Sequence, residues 1–299
     1  MKGFGDLIPS AIELRVAGVP EHFNLPWYLG LERRAFVRAG IDLKWRTVAE
    51  GTGAMCQMLR AGDVDMAVLV TEGAVRDILR GDPSRIVSHF VDTPLTWGVH
   101  VGAGSPLKVP GDLKDVPFAI SRFNSGSHLM AMVYARQLGR DLGEKDFVVV
   151  NDLKGAVERL GSGEPLAFLW EKSITSPHVH SGALRRIDEV RPAWPAFVVV
   201  VREEVLAENA KAVQRTLKVV RDQARGLMQK KTAPEMVRQR YGLTATDAQD
   251  WFNSVRWNVD GKADGVALYA VQDALHAVGM LDLIALPAAE LEARLVWKG

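Results

Sequence analysis

The run Leu59-Arg-Ala-Gly-Asp-Val-Asp-Met-Ala-Val68, continued by Leu69, Val70 and Thr71, packs a helix end, a turn and a strand into one short stretch. Gly62 stops a helix that runs from about Gly53 to Arg60, because glycine tolerates the left-handed backbone found just past a helix end. Val64–Val70 is nearly all apolar, the pattern of a strand buried on both faces of a parallel sheet. Thr71 is placed to cap the next helix, from Glu72 to Arg80. A buried strand between two helices is the repeating unit of an α/β fold.

The same alternation continues on both sides. Upstream, Ile12–Gly18 alternates apolar and polar residues and reads as a strand. Leu25 to Ala39 is helical and closes at Gly40, Ile41–Val48 is a strand, and Thr52 caps the helix that follows. Downstream, Arg85–Val91 and Trp97–Val101 are two more strands. The order β-α-β-α-β-α-β-β predicts a parallel sheet with helices on both faces. A second α/β cycle follows the Gly102-Ala-Gly-Ser-Pro106 break. It has strands at Val116–Ile120, Phe147–Val150, Leu166–Trp170, Arg185–Val190 and Ala196–Val201, and helices at Ser127–Leu138 and Leu153–Leu160. From Arg202 onward the pattern is helical, at about Glu204–Lys230, Ala233–Tyr241, Thr246–Val255 and Gly265–Val278. These helices must bury their apolar faces, and the first lobe offers the simplest place. Residues 1–101 and 196–299 are therefore expected to form one lobe and residues 102–195 an inserted second lobe. The crossings would lie near Val99–Val101 and Phe197–Val200.

Composition narrows the function classes. The 299 residues fit two domains at about 150 each. Lys and Arg total 37 against 36 Asp and Glu, a net charge of +1, so there is no field to attract nucleic acid or an anionic membrane. Hydrophobic residues at 47% and charged residues at 24% are those of a globular chain. Cys56 is the single cysteine, which excludes an intrachain disulfide, a Cys-rich zinc site and an iron–sulfur cluster. No run reaches the ~18 apolar residues of a membrane span. Residues 1–10 show no apolar core of a secretory signal, so a cytoplasmic location is expected, with a periplasmic or extracellular one as the alternative if a leader was removed. No G-x-S-x-G, P-loop or strand-linked G-x-G-x-x-G occurs. No cofactor, metal or catalytic residue is therefore expected.

Three stretches carry a resemblance. Gly18-Val-Pro-Glu-His-Phe23, Ala49-Glu-Gly-Thr-Gly53 and Leu59–Val68 resemble the type II periplasmic-binding-protein fold. Within it they are most similar to the branch holding the taurine, nitrate and sulfonate ABC-transporter binding proteins and the thiamine-pyrimidine synthase. The P-E-H-F and T-E-G pieces resemble a signal-less subfamily of that branch. The resemblance implies two lobes, a small-molecule ligand in the cleft between them, and an ABC-transporter permease as a candidate partner. The synthase's cysteine-rich iron motif is absent here, so its activity is not implied.

Ligands of open parallel sheets sit beyond the carboxyl ends of the strands. That rule selects Glu21, His22 and Phe23 after the first strand, Glu50, Thr52 and Gly53 after the second, and Thr71 and Glu72 after the third. In the second lobe it selects Arg122, Ser125, Gly126 and Ser127, then Trp170 and Glu171. Three acids in one lobe would repel an oxyanion and favour an amine or a protonated heterocycle. The Ser121–Ser127 loop at a helix start suits an anion or carbonyl. Each residue also has a plainer role: Glu72 complements a helix dipole, Ser125 or Ser127 caps a helix, and the aromatics pack in the core. His178 and His180 read as an exposed loop, and Cys56 as buried and inert. The expected function is non-catalytic binding of a small polar metabolite, an amine or a heterocycle such as a thiamine-precursor-like pyrimidine. The alternative is a cytosolic enzyme on the same fold in thiamine- or menaquinone-type precursor metabolism.

Overall fold

The computed structural model describes residues 11–261, 263 and 265–299. The first ten residues, read above as lacking a secretory leader, lie outside the described residues. The first half holds β1 (Ile12–Gly18), α1 (Leu25–Glu32), α2 (Ala35–Arg38), β2 (Ile41–Thr47), α3 (Thr52–Ala61), β3 (Met66–Val70), α4 (Thr71–Leu79), β4 (Ser84–Val91), β5 (Trp97–Gly102), β6 (Phe118–Ile120), α5 (Gly126–Gln137) and β7 (Phe147–Val149). The second half holds α6 (Leu153–Gly161), β8 (Ala167–Glu171), α7 (Lys172–His180), β9 (Leu184–Val190), β10 (Phe197–Arg202), α8 (Glu203–Gln229), α9 (Ala233–Tyr241), α10 (Ala245–Ser254), α11 (Gly265–Ala277) and α12 (Ala288–Leu295).

These strands form two five-stranded sheets, one per lobe, in the orders β2-β1-β3-β10-β4 and β7-β6-β8-β5-β9. Neither sheet is wholly parallel, as the sequence had predicted for the first. β10 runs antiparallel to β3 and β4, and β5 runs antiparallel to β8 and β9. In each sheet the odd strand is the one delivered from the other lobe, so the chain enters against the direction of its neighbours.

The crossings are also earlier than expected. Residues 97–101, grouped with the first lobe by sequence, hydrogen-bond into the second sheet from Trp97 onward, opposite Glu171 and Val190. The chain therefore crosses at residues 92–96 and returns at 191–196. The two segments run side by side, with the Ala196 N–H donating to the Thr93 carbonyl at 3.2 Å. The helix over Leu25–Ala39 is broken at Arg34, which takes a left-handed backbone (φ 51°). His178 and His180 lie in the last turn of α7 rather than in a loop, and His180 faces Asp247 of α10 at 3.4 Å. α12, which the sequence reading did not contain, packs on α4 and β4. Among the described residues no helix is long and apolar enough to cross a membrane.

The run that opened the sequence reading is anchored by Asp65. Its carboxylate accepts the Arg15 backbone N–H at 2.8 Å and both Nε and Nη2 of the Arg15 guanidinium, at 3.1 and 2.5 Å. Its own N–H donates to the Arg15 carbonyl at 2.8 Å, and its carbonyl accepts the Arg202 N–H at 3.2 Å. One residue thus ties β1, β3 and β10 together at the end of the sheet opposite the cleft. Asp65→Ala should cost about 1.5 kcal/mol, the low end for hydrogen bonds to a charged group, because the Arg15 side chain is 39% exposed and regains water. Urea denaturation measures this, and an unchanged midpoint would contradict the anchoring role.

Candidate functional site

A cleft of about 390 Å³ opens between the lobes at the carboxyl ends of the parallel strands. β1 delivers Glu21, the β2–α3 turn delivers Glu50, Thr52 and Gly53, and the first turn of α4 delivers Glu72. Thr52 opens α3, and its Oγ1 accepts the Val70 N–H at 3.2 Å, which fixes α3 against the end of β3. Glu72 is buried, and the Trp194 indole N–H donates to its Oε2 at 3.0 Å. Trp194 belongs to the returning crossing segment, so that segment reaches the site directly.

The second lobe faces these groups with the loop from β6 into α5. Ser125 is the N-cap of α5, and its Oγ accepts the His128 N–H at 3.2 Å. Ser127 Oγ accepts the Ser121 N–H at 3.0 Å and lies 2.9 Å from Ser125 Oγ. Capping is therefore a real role for Ser125, and the hydroxyls are partly committed to one another. β8 ends at Trp170, stacked on Phe168 at 5.3 Å, and at Glu171, whose Oε2 caps α7 by accepting the Ile174 N–H at 2.7 Å. A Cβ at Gly126 would lie 3.0 Å from the Trp97 ring and 3.4 Å from Glu72 Oε1, so a larger residue there would crowd the cleft.

The electrostatics of the acids are unusual. Burial pushes the Glu21 carboxyl up to about 8, and repulsion from Glu171 in the opposite lobe adds to it. Burial also raises Glu171, to about 7, although hydrogen bonds from the start of α7 oppose the shift. Glu72 is raised by burial against the hydrogen bonds that favour its charge. Two acids from opposite lobes thus share one desolvated space, where Glu171 disfavours the ionisation of Glu21.

The structure brings together eleven of the predicted residues: Glu21, Glu50, Thr52, Gly53, Glu72, Arg122, Ser125, Gly126, Ser127, Trp170 and Glu171. Three turn away. His22 is buried among Phe23, Tyr241 and Trp251, with ring centroids 5.1, 5.5 and 4.3 Å away, and burial lowers its pKa to about 3. Phe23 packs on Phe197 at 4.9 Å. Thr71 is buried, and its Oγ1 donates to the Pro195 carbonyl at 2.5 Å, holding the return crossing instead of facing the cleft. Sequence reasoning missed Arg76, Leu275 and Met280, which line the same cleft. Arg76 follows Glu72 by four residues on α4, a spacing that places both on one helix face. Leu275 lies in the last turn of α11 and Met280 just beyond it, and no local signal points to them. Cys56 is buried beside the cleft, and burial raises its thiol well above the ordinary value.

Residues 97–190, which span β5 to β9, match the family model described as Ca3427-like PBP. No curated protein matches the sequence. The Candida albicans CA3427 gene product, described as having the generic periplasmic binding protein fold, is 23% identical, with a TM-score of 0.88 over 96% of both chains. The alkanesulfonate-binding protein SsuA of Xanthomonas axonopodis pv. citri is 16% identical, with a TM-score of 0.76 over 95% of this chain and 98% of that one. The nitrate-binding protein NrtA of Synechocystis PCC 6803 is 14% identical, with a TM-score of 0.75 over 95% of this chain and 86% of that one. The chain has the two-lobed periplasmic-binding-protein fold, as its sequence motifs implied.

The acid pair has a consequence for stability. The folded state keeps protons on Glu21 and Glu171 at pH values where the unfolded chain has lost them, so stability falls as pH rises through about 7 and then about 8. Buried His22, His100 and His128, lowered to about 3, 4 and 4, act in the opposite sense. Their gain is complete once pH passes the ordinary histidine value near 6.5. Between about pH 7 and 8.5 the melting temperature should therefore fall, and Glu21→Gln with Glu171→Gln should remove most of the fall. A wild-type midpoint that holds or rises across that window would contradict the pairing.

Proposed function

We propose that this protein is a solute-binding protein whose lobes close on a small solute carrying a protonated amine or a protonated heterocycle. The observation that carries the reading is the placement of Glu21 and Glu171, one from each lobe, in a shared desolvated cleft with Glu72. A cation between them restores both negative charges and donates two or three charge-assisted hydrogen bonds to the carboxylates, each of about 1.5–3 kcal/mol. Those contacts exist only when the lobes are together, so the cation favours the closed state. Moving an equilibrium from almost wholly open to almost wholly closed takes about 5.5 kcal/mol, within reach of two or three such bonds. Trp97 and Trp170 supply aromatic surface for the organic part.

The relatives named as alkanesulfonate- and nitrate-binding proteins support the solute-binding role. Their anions would find no donor charge at Glu21, Glu72 and Glu171, which favours a solute with a cationic group here. A protonated pyrimidine of the thiamine-precursor kind belongs to the proposed class, and an ABC-transporter permease is the partner this role implies.

A thermal-shift screen of alkylamines, aminopyrimidines, alkanesulfonates and nitrate tests the reading. An amine or aminopyrimidine should stabilise the protein, and Glu21→Gln or Glu171→Gln should each weaken it at least about tenfold, or 1.4 kcal/mol. Stabilisation by nitrate or an alkanesulfonate with no response to any cation would overturn it. Mass spectrometry of the recovered solute separates a binder, which returns it unchanged, from an enzyme.

A further inference from the structure

The cleft holds a second like-charged pair. Arg76 projects from α4 in the first lobe and Arg122 from the β6–α5 loop in the second. Each reaches across: Arg76 Nη1 donates to the Asn124 carbonyl at 2.7 Å, and Arg122 Nη1 donates to the Glu50 carbonyl at 2.8 Å. Arg122 lies so close to Gly53 that a Cβ there would be 2.6 Å from its Nη2. Among the described residues, neither guanidinium has a carboxylate oxygen within ion-pair distance. Asp77, the acid next to Arg76 in sequence, is bonded by Arg60, and the Glu50 side chain is exposed. Arg76 Nε is buried with no hydrogen-bond partner. Burial disfavours the charge on both, and on Arg76 repulsion from Arg80, then more weakly from Arg122, adds to it.

Closing the lobes thus brings two cations together in a poorly solvated place, with unused donors remaining. Coulomb repulsion there is stronger than in water, and an oxyanion accepting from both forks reverses its sign. Neighbouring Glu72 is one turn away on α4, about 6 Å along the helix axis. It is buried whereas Arg76 is only half-buried, so the cleft runs from an acidic floor to a basic rim.

We propose that Arg76 and Arg122 form a cross-lobe oxyanion site, and that the solute is amphoteric, its cationic end at the carboxylates and its oxyanion between the guanidiniums. This rests on the cationic reading above and adds the opposite end. The test is isothermal titration of the full chain with 4-aminobutanoate and 3-aminopropylphosphonate, against butylamine and butanoate, in chloride buffer of fixed ionic strength. At least one amphoteric probe should bind tenfold or more tightly than either single-function probe, and the stronger of the two identifies the oxyanion. Arg76→Gln or Arg122→Gln should collapse its advantage over butylamine. Arg136→Gln, an exposed arginine of α5 paired with Asp141, should preserve it. An amphoteric probe no tighter than butylamine would overturn the oxyanion site and leave the cationic reading standing. Butanoate as tight as 4-aminobutanoate, with no butylamine binding, would overturn both. Failure of both amphoteric probes to bind would overturn the proposal.

Discussion

Like charges meet across the cleft of this protein. Glu21 opposes Glu171, and Arg76 approaches Arg122, with each pair drawing one member from each lobe. In water such pairs would be screened, but here they share a small desolvated space. The rest of the site is built around that constraint. Gly53 and Gly126 allow the lobes to approach until side chains of one touch the backbone of the other. Two arginine–carbonyl hydrogen bonds join the lobes without neutralising any charge. In the proposed reading, a solute that neutralises the pairs favours the closed form.

The fold connects the cleft to the crossing segments. The return segment supplies Trp194, whose indole N–H holds Glu72, and Pro195, whose carbonyl takes the Thr71 hydroxyl. The first turn of α4 is therefore bonded to the return crossing segment. Glu72 and the 191–196 segment, separated by 122 positions between Glu72 and Trp194, are thus neighbours in space. The strands that follow each crossing, β5 and β10, lie inside their sheets rather than at the edges, so a bend between the lobes is confined to the short segments before them.

Much of this was legible in the sequence, for identifiable reasons. The Leu59–Val68 run announced a helix, a turn and a buried strand through apolar content and Gly62 alone. The strand-end rule found Glu21, Glu50, Glu72 and the Ser121–Ser127 loop because it depends only on chain order. It failed at His22 and Phe23, which leave the same strand end but turn toward Tyr241, Trp251 and Phe197, partners over 170 positions away. Strand direction at β5 and β10 was hidden because local pattern does not record which way a chain enters a sheet. Arg76 was missed because it follows its strand by a full helical turn, although its spacing from Glu72 was available. Asp65 was visible as a motif residue, but its bond to Arg15, fifty positions earlier, was not.

The most direct test of the central claim needs no knowledge of the solute. Small-angle scattering of the ligand-free protein, taken from about pH 6 to pH 8.5, reads closure as the radius of gyration. The account predicts expansion as Glu21 and Glu171 lose their protons near about 8 and about 7, and a Glu21→Gln, Glu171→Gln variant that stays compact throughout. A wild-type radius of gyration that does not change across that range would contradict it.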